Sequence, residues 1–386
     1  AYQSKAETLK KLGRLNECLD TLAEIIKLNP FNQQALFEKG DILFDKNLFE
    51  DALEYYERVY AINSEKPFLL GNILHTKSKM CVWKDFNKNL ILLEKKLKEN
   101  KKVISPYTGL TLIDDPSIHL KSAQIWATQF IQEKKNLEMK FKKKNEKIKI
   151  GYYSSDFRTH AMGHLMVKML EDHNKENFEI FGFYFGPKIK ENDQISKRIM
   201  KSFDKFIDVN SKNDFEIASL SREMGINIAV DLMCYTGNYN KFGIFAKRCA
   251  PIQINFLGYP GTSGSKFIDY IVLDKKVLCK DNRKFFSEKF IILPDTYQPN
   301  EDEKKISLKD LAKDDLGIPA KKFVFACFNS HQKILPGIFN LWMNILKKTN
   351  ESVLWLYNDN VYSKKNLKKE AENFNIDPNR LLFANH

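Results

Sequence analysis

An internal repeat constrains this chain more than any other feature. Leu15, Cys18, Leu19, Leu22, Ile25 and Ile26 recur at helical spacing, and a shift of 34 places carries that stripe onto Phe49, Ala52, Leu53, Tyr56, Val59 and Tyr60. Leu28 falls on Ile62, Pro30 closes the first unit, and Gly40 lies in the next helix. A unit of this kind cannot bury its apolar face alone and must stack on neighbours. Two units are visible, and such arrays need about three. The expectation is therefore that further repeats precede Ala1, or that the following helices cap the stack. Leu69, Leu70, Ile73 and Leu74, then Trp83 to Leu97, read on as helix over 68–98 without the repeat.

The helix–turn–helix period resembles the tetratricopeptide repeat, which is expected over residues 1–66, with a helical linker region over 67–146. Lys135–Lys149 is strongly basic and reads as an exposed connector. Beyond it the periodicity changes. Short β-rich runs stand at Ile148–Tyr153, Phe178–Tyr184, Ile226–Leu232, Pro251–Phe256, Ile268–Leu273 and Phe290–Leu293. Amphipathic segments such as Met162, Leu165, Met166, Met169 and Leu170 lie between some of them. Strands alternating with helices predict βαβ units and a mostly parallel sheet over 147–305. A second α/β unit over 306–386 is predicted from strands at Phe323–Phe328, Val353–Tyr357 and Leu381–Phe383, with a helix stripe through Ile338, Leu341, Trp342, Ile345 and Leu346. It is expected to be incomplete.

The charge of +13 invites a nucleic-acid reading, but only eight of the 62 basic residues are arginine, the residue that bidentate phosphate and base recognition favours. A solvated, lysine-rich surface is the expectation, with no nucleic-acid partner. No apolar run approaches the 18–20 residues or so of a membrane helix, so no membrane span is expected. Six dispersed cysteines without a C-x-x-C suggest neither a zinc site nor a disulfide framework, and fit reduced, cytoplasmic thiols.

Chemistry in open α/β sheets sits beyond the carboxyl ends of strands, where loops lead into helix N-termini. Three loops stand at such places. Ser154–His164 brings Asp156, His160 and His164 together, a proton acceptor and donors of adjustable pKa. The two histidines are four apart, as metal ligands can be, but no further ligand of suitable spacing joins them, so no metal is expected. For His164, followed directly by an apolar stripe, a structural role is expected. His160, ahead of the helix, is the functional candidate. Gly258–Gly264 holds three glycines and Pro260, suited to a sharp turn or close approach to a ligand. It is neither the G-x-G-x-x-G fingerprint nor a P-loop. Asn329–Lys333 places Lys333 beside a helix start, a plausible anion or diphosphate site.

Four long segments in order, IKIGYYSSDFRTHAMGHLM, AKRCAPIQINFLGYPGTSGSKFIDYIVLD, SEKFIILPDTYQP and FACFNSHQKILPGIFNLWMNILKKTNESVLWL, resemble the O-linked N-acetylglucosamine transferase family from about Lys147 to the end. The resemblance implies a glycosyltransferase-B architecture of two Rossmann-like domains behind an all-α repeat region. It also implies UDP-N-acetylglucosamine as donor substrate, inversion at the anomeric carbon, no metal or cofactor, and Ser/Thr hydroxyls of proteins as acceptors recruited by the repeats. On it, His160 falls on an active-site histidine, Asp156 on a candidate in proton handling, and Lys333 on the lysine that neutralises the UDP diphosphate. His164, Tyr259, Pro260, Gly261, Thr262, Ser330 and Gln332 fall among substrate-binding positions. Whether His160, Asp156 or a donor phosphate takes the proton stays open.

Two departures stand out. Ser330 replaces a glutamine that touches the nucleotide in animal members, and Met233-Cys234 replaces the Asn-Gly of V-D-L-N-G-Y-T. The family also continues past Leu382–His386, so the chain is expected to be a C-terminally truncated piece and by itself a poor catalyst. Another UDP-sugar, an Asn acceptor, or a non-catalytic repeat scaffold are the alternative readings.

Overall fold

The computed structural model describes residues 1–130, 146–237 and 241–384, so most of the basic segment read as a connector lies outside the described residues. The chain divides into two compact units. One comprises Ala1–Ile104, Thr111–Ile113 and Ser307–His386, the other Ser105–Leu110 and Asp114–Ile306.

The first unit opens with helices α1 (Tyr2–Lys11), α2 (Leu15–Leu28), α3 (Gln33–Asp45), α4 (Phe49–Ile62), α5 (Leu69–Lys79) and α6 (Phe86–Lys98). The two bounds of α2 and of α4 differ by the repeat length, so the sequence period is a structural one. Cys18, Leu22, Leu36, Ala52, Tyr56 and Val59 form the shared core. Gly40 is small for a reason: a Cβ there would stand 2.7 Å from the Tyr56 ring, whose hydroxyl donates to Asp41 Oδ1 at 2.7 Å. The helix expected over 68–98 is interrupted. Cys81 and Asp85 adopt φ of 54° and 57°, a left-handed backbone that ends one helix and starts another.

Short helices α7 (Pro106–Leu112) and α8 (Pro116–Ala127) lead towards the second unit. Its strands are β1 (Ile148–Ser154), β2 (Phe178–Tyr184), β3 (Lys205–Asp208), β4 (Ile228–Asp231), β5 (Ile252–Asn255), β6 (Tyr270–Asp274) and β7 (Lys289–Leu293). Helices α9 (Ala161–Glu171), α10 (Gln194–Ser202), α11 (Asp214–Glu223) and α12 (Gly243–Ala246) lie between them in sequence. Among the described residues the sheet is parallel throughout, in the order β3-β2-β1-β4-β5-β6-β7. That is the doubly wound order, and it reverses direction between β1 and β4, where such sheets open a crevice for ligands. Tyr153 stacks on Phe183 with centroids 4.5 Å apart on one face, and Met166, Val167 and Leu170 of α9 pack against Ile150, Ile180 and Val230. β3 was not expected from sequence, being an edge strand of four residues with a charged residue at each end.

The rest of the first unit is a three-stranded parallel sheet in the order β10-β9-β8, built from β8 (Phe323–Cys327), β9 (Ser352–Tyr357) and β10 (Leu381–Ala384). Helices α13 (Pro336–Lys348) and α14 (Val361–Asn373) connect them. Phe339, Met343, Leu354, Leu356 and Leu367 make the core, joined by Cys81 and Trp83 from the segment after α5. No helix among the described residues is long and apolar enough to cross a membrane.

Candidate active site

The loop after β1 carries the first group. His160 is the N-cap of α9: its backbone is extended and its Nδ1 accepts from the Met162 N–H at 3.3 Å. The same Nδ1 lies 3.5 Å from Asp156 Oδ2, and Nε2 makes no hydrogen bond among the described residues. Asp156 is buried, and its other oxygen accepts from Arg158 Nη2 at 3.2 Å. The cap of α9 is thus His160, and Asp156 is the group beneath the imidazole. Burial lowers the His160 pKa, Asp156 pulls it up, and Arg158 and His164 push it down again, leaving a net decrease. The imidazole is thus mostly neutral at neutral pH. Thr159 is pinned from outside, its N–H and hydroxyl both donating to Asp193 at 2.7 Å. His164 sits within α9, half-buried.

Beside it, at the carboxyl end of β4, Asp231 Oδ1 accepts from the N–H groups of Met233 and Cys234 at 2.9 Å each. This clamp holds Cys234 at φ 47°, a conformation glycine adopts more easily. Asp231 Oδ2 is buried without a partner among the described residues, as is Oδ1 of Asn255, its register neighbour on β5. Burial, only partly offset by the two backbone N–H groups, pushes the Asp231 pKa up to about 7.

The Gly258–Gly264 loop is held from within. Gly258 lies so close to β4 that a Cβ would stand 1.9 Å from the Leu232 carbonyl oxygen. Asn255 Nδ2 donates to the carbonyls of Tyr259 and Gly261 at 3.3 and 3.2 Å. Tyr259, Gly261 and Thr262 are buried and Pro260 is exposed, so Pro260 is the position of this group that reaches solvent. The Tyr259 ring lies against Tyr235, 5.2 Å between centroids. Glu288, which sequence reading did not single out, anchors the turn: it accepts from the Thr262 hydroxyl at 2.7 Å and from the Ser263 N–H at 2.6 Å.

In the other unit, β8 ends in a loop and a single 3-10 turn, His331–Lys333, before α13. Lys333 is exposed and its N–H donates to Ser330 O at 3.0 Å. Ser330 Oγ and the His331 N–H share Asp359 Oδ2, at 3.0 and 2.9 Å. Gln332 is buried, with its Oε1 2.9 Å from His75 Nε2. Among the described residues no group of three or more His, Cys, Asp or Glu is arranged to hold a metal ion.

The profile of Glycosyl transferase family 41 matches residues 121–307 and 299–386, and the tetratricopeptide repeat matches 1–32 and 33–66. The chain belongs to glycosyl transferase family 41. Within that family it is similar to the probable UDP-N-acetylglucosamine–peptide N-acetylglucosaminyltransferase SEC of Arabidopsis thaliana, 31% identical over 81% of this chain and 34% of the relative. It is also similar to the UDP-N-acetylglucosamine–peptide N-acetylglucosaminyltransferase of Caenorhabditis elegans, 34% identical over 39% of this chain and 13% of that one. The chain thus spans about a third or less of these relatives' lengths. A mutant O-GlcNAc transferase of Thermobaculum terrenum superposes on 99% of the chain and 73% of its own, with a TM-score of 0.75 at 21% identity. The fold of this family 41 member is therefore the one read from sequence, an all-α repeat region followed by Rossmann-like α/β domains of glycosyltransferase-B type.

Proposed function

We propose that this protein transfers N-acetylglucosamine from UDP-N-acetylglucosamine to Ser or Thr hydroxyls of proteins, with inversion and without a metal ion. The observation that carries this reading is the family match across residues 121–386, which spans His160 and Lys333. An inverting transfer needs an in-line hydroxyl, a route for its proton, and positive charge for the departing diphosphate. In this reading the neutral His160 imidazole receives the hydroxyl proton, and Asp156, 3.5 Å from its Nδ1, stabilises the imidazolium that forms. Lys333 supplies the charge that a metal ion supplies elsewhere, which is why no metal is invoked. Pro260 and the buried frame of the Gly258–Gly264 loop shape the substrate surface, and the helical repeats recruit the acceptor. The free, mostly buried thiols fit a cytoplasmic setting.

Titration of UDP into the wild type and Lys333→Ala tests the donor role. A charge-assisted contact to phosphate is worth about 1.5–3 kcal/mol, so affinity should fall about tenfold or more. Unchanged affinity overturns the assignment.

A further inference from the structure

The turn that presents Lys333 is assembled from two parts of the chain far apart in sequence. On one side Asp359 accepts from Ser330 and from the His331 N–H, and His331 Nδ1 lies 2.5 Å from Ser363 Oγ. On the other side stands the end of α5, the first helix after the two repeats. His75 Nε2 meets Gln332 Oε1 at 2.9 Å, and Cys81 Sγ donates to His331 O at 3.6 Å. The end of that helix is fixed in turn, because Asn360 and Asn366 donate to the carbonyls of Lys79 and Met80 at 3.0 and 2.8 Å. Burial holds the His75 pKa down at about 4, with Lys79 adding to the effect, so the ring is neutral and its Nε2–H can donate to the amide oxygen at any ordinary pH.

We propose that His75 is a positioning residue for the diphosphate site: its Nε2–H holds the Gln332 side chain, and thereby the turn that ends in Lys333. The proposal rests on the donor role given to Lys333 above. It assigns to a helix adjoining the repeats a part in nucleotide binding, through the contact of His75 with Gln332. Gln332, expected from sequence among the substrate-binding positions, here acts by linking α5 to the lysine turn. A neutral hydrogen bond of this kind sets the scale of the effect, a few-fold change in affinity for the ligand that Lys333 contacts.

The experiment is calorimetric titration of the full chain with UDP and, separately, with uridine, which lacks the phosphates. His75→Ala should weaken UDP binding about three- to tenfold and leave uridine binding within twofold of wild type, and His75→Gln, which keeps a donor, should restore UDP binding. Gln332→Ala should reproduce the UDP-selective loss and serves if His75→Ala does not fold. Equal losses for UDP and uridine mean that His75 only stabilises the lobe, and overturn the proposal. So does unchanged UDP binding by His75→Ala while Lys333→Ala binds weakly. Unchanged UDP binding by Lys333→Ala overturns the donor reading itself, a separate failure.

Discussion

Glu288 and Thr262 are joined across 26 residues by a 2.7 Å hydrogen bond, both of them buried, and through it the residue just ahead of β7 holds the Gly258–Gly264 turn. The same carboxylate takes the Ser263 N–H and hydroxyl, so a single acid satisfies three donors of one turn. Glu288→Ala strands those donors and should cost about 3 kcal/mol of stability. Glu288→Gln, which keeps one oxygen, should cost less. Urea denaturation of the two variants checks the order, and equal, small losses would count against an anchoring role.

Gly258 faces a harder limit. With a Cβ 1.9 Å from the Leu232 carbonyl, no rotamer change relieves the clash, so backbone must move. Gly258→Ala should destabilise by about 3 kcal/mol, whereas Gly337→Ala, with open space around it, should come close to wild type. Thermal melts of both variants test the contrast.

His160 titrates low because burial outweighs the pull of Asp156. Its neutral form therefore persists below the ordinary histidine pKa, and activity that depends on neutral imidazole should fall only as pH drops below about 6.5. Removing the opposing charge in Asp156→Asn should move that midpoint lower still. An NMR titration of the imidazole protons reads both values, and a midpoint that rises in Asp156→Asn would contradict the geometry.

The Asp231 carboxyl carries the opposite sign. Its folded-state pKa is raised to about 7 from 3.8, so between those values the folded protein binds a proton that the unfolded chain has released. Stability from this group is therefore complete below its unfolded pKa and is lost as pH rises through the folded one. Wild type should lose more melting temperature between about pH 5 and about pH 8 than Asp231→Asn, whose amide stays neutral throughout. Parallel profiles would show that Oδ2 is not desolvated as described.

Much of the architecture was legible because it rests on periodicity. The shift of 34 places that carries Leu15 onto Phe49 returns as helices whose ends match, and the alternation beyond Ile148 returns as two parallel sheets. The break at Cys81 was not legible, since a left-handed cysteine has no sequence signal. The strand-end loops were visible from their glycines, acids and histidines. What each side chain does inside them was not, because the partners are remote: Thr262 looks to Glu288, and Gln332 to His75 across 257 residues. Asp231 lay in view within the V-D-L run, and an acid at a strand's carboxyl end was the signal that could have drawn attention to it.

Transfer of labelled N-acetylglucosamine from UDP-N-acetylglucosamine to protein, followed in chelator for wild type, His160→Ala and Lys333→Ala, tests the central claim most directly. The expected result is transfer, even if slow, that survives the chelator and drops about a hundredfold or more on losing either side chain. Transfer at the same rate without the imidazole and without the lysine, or transfer that requires a divalent cation, would contradict it.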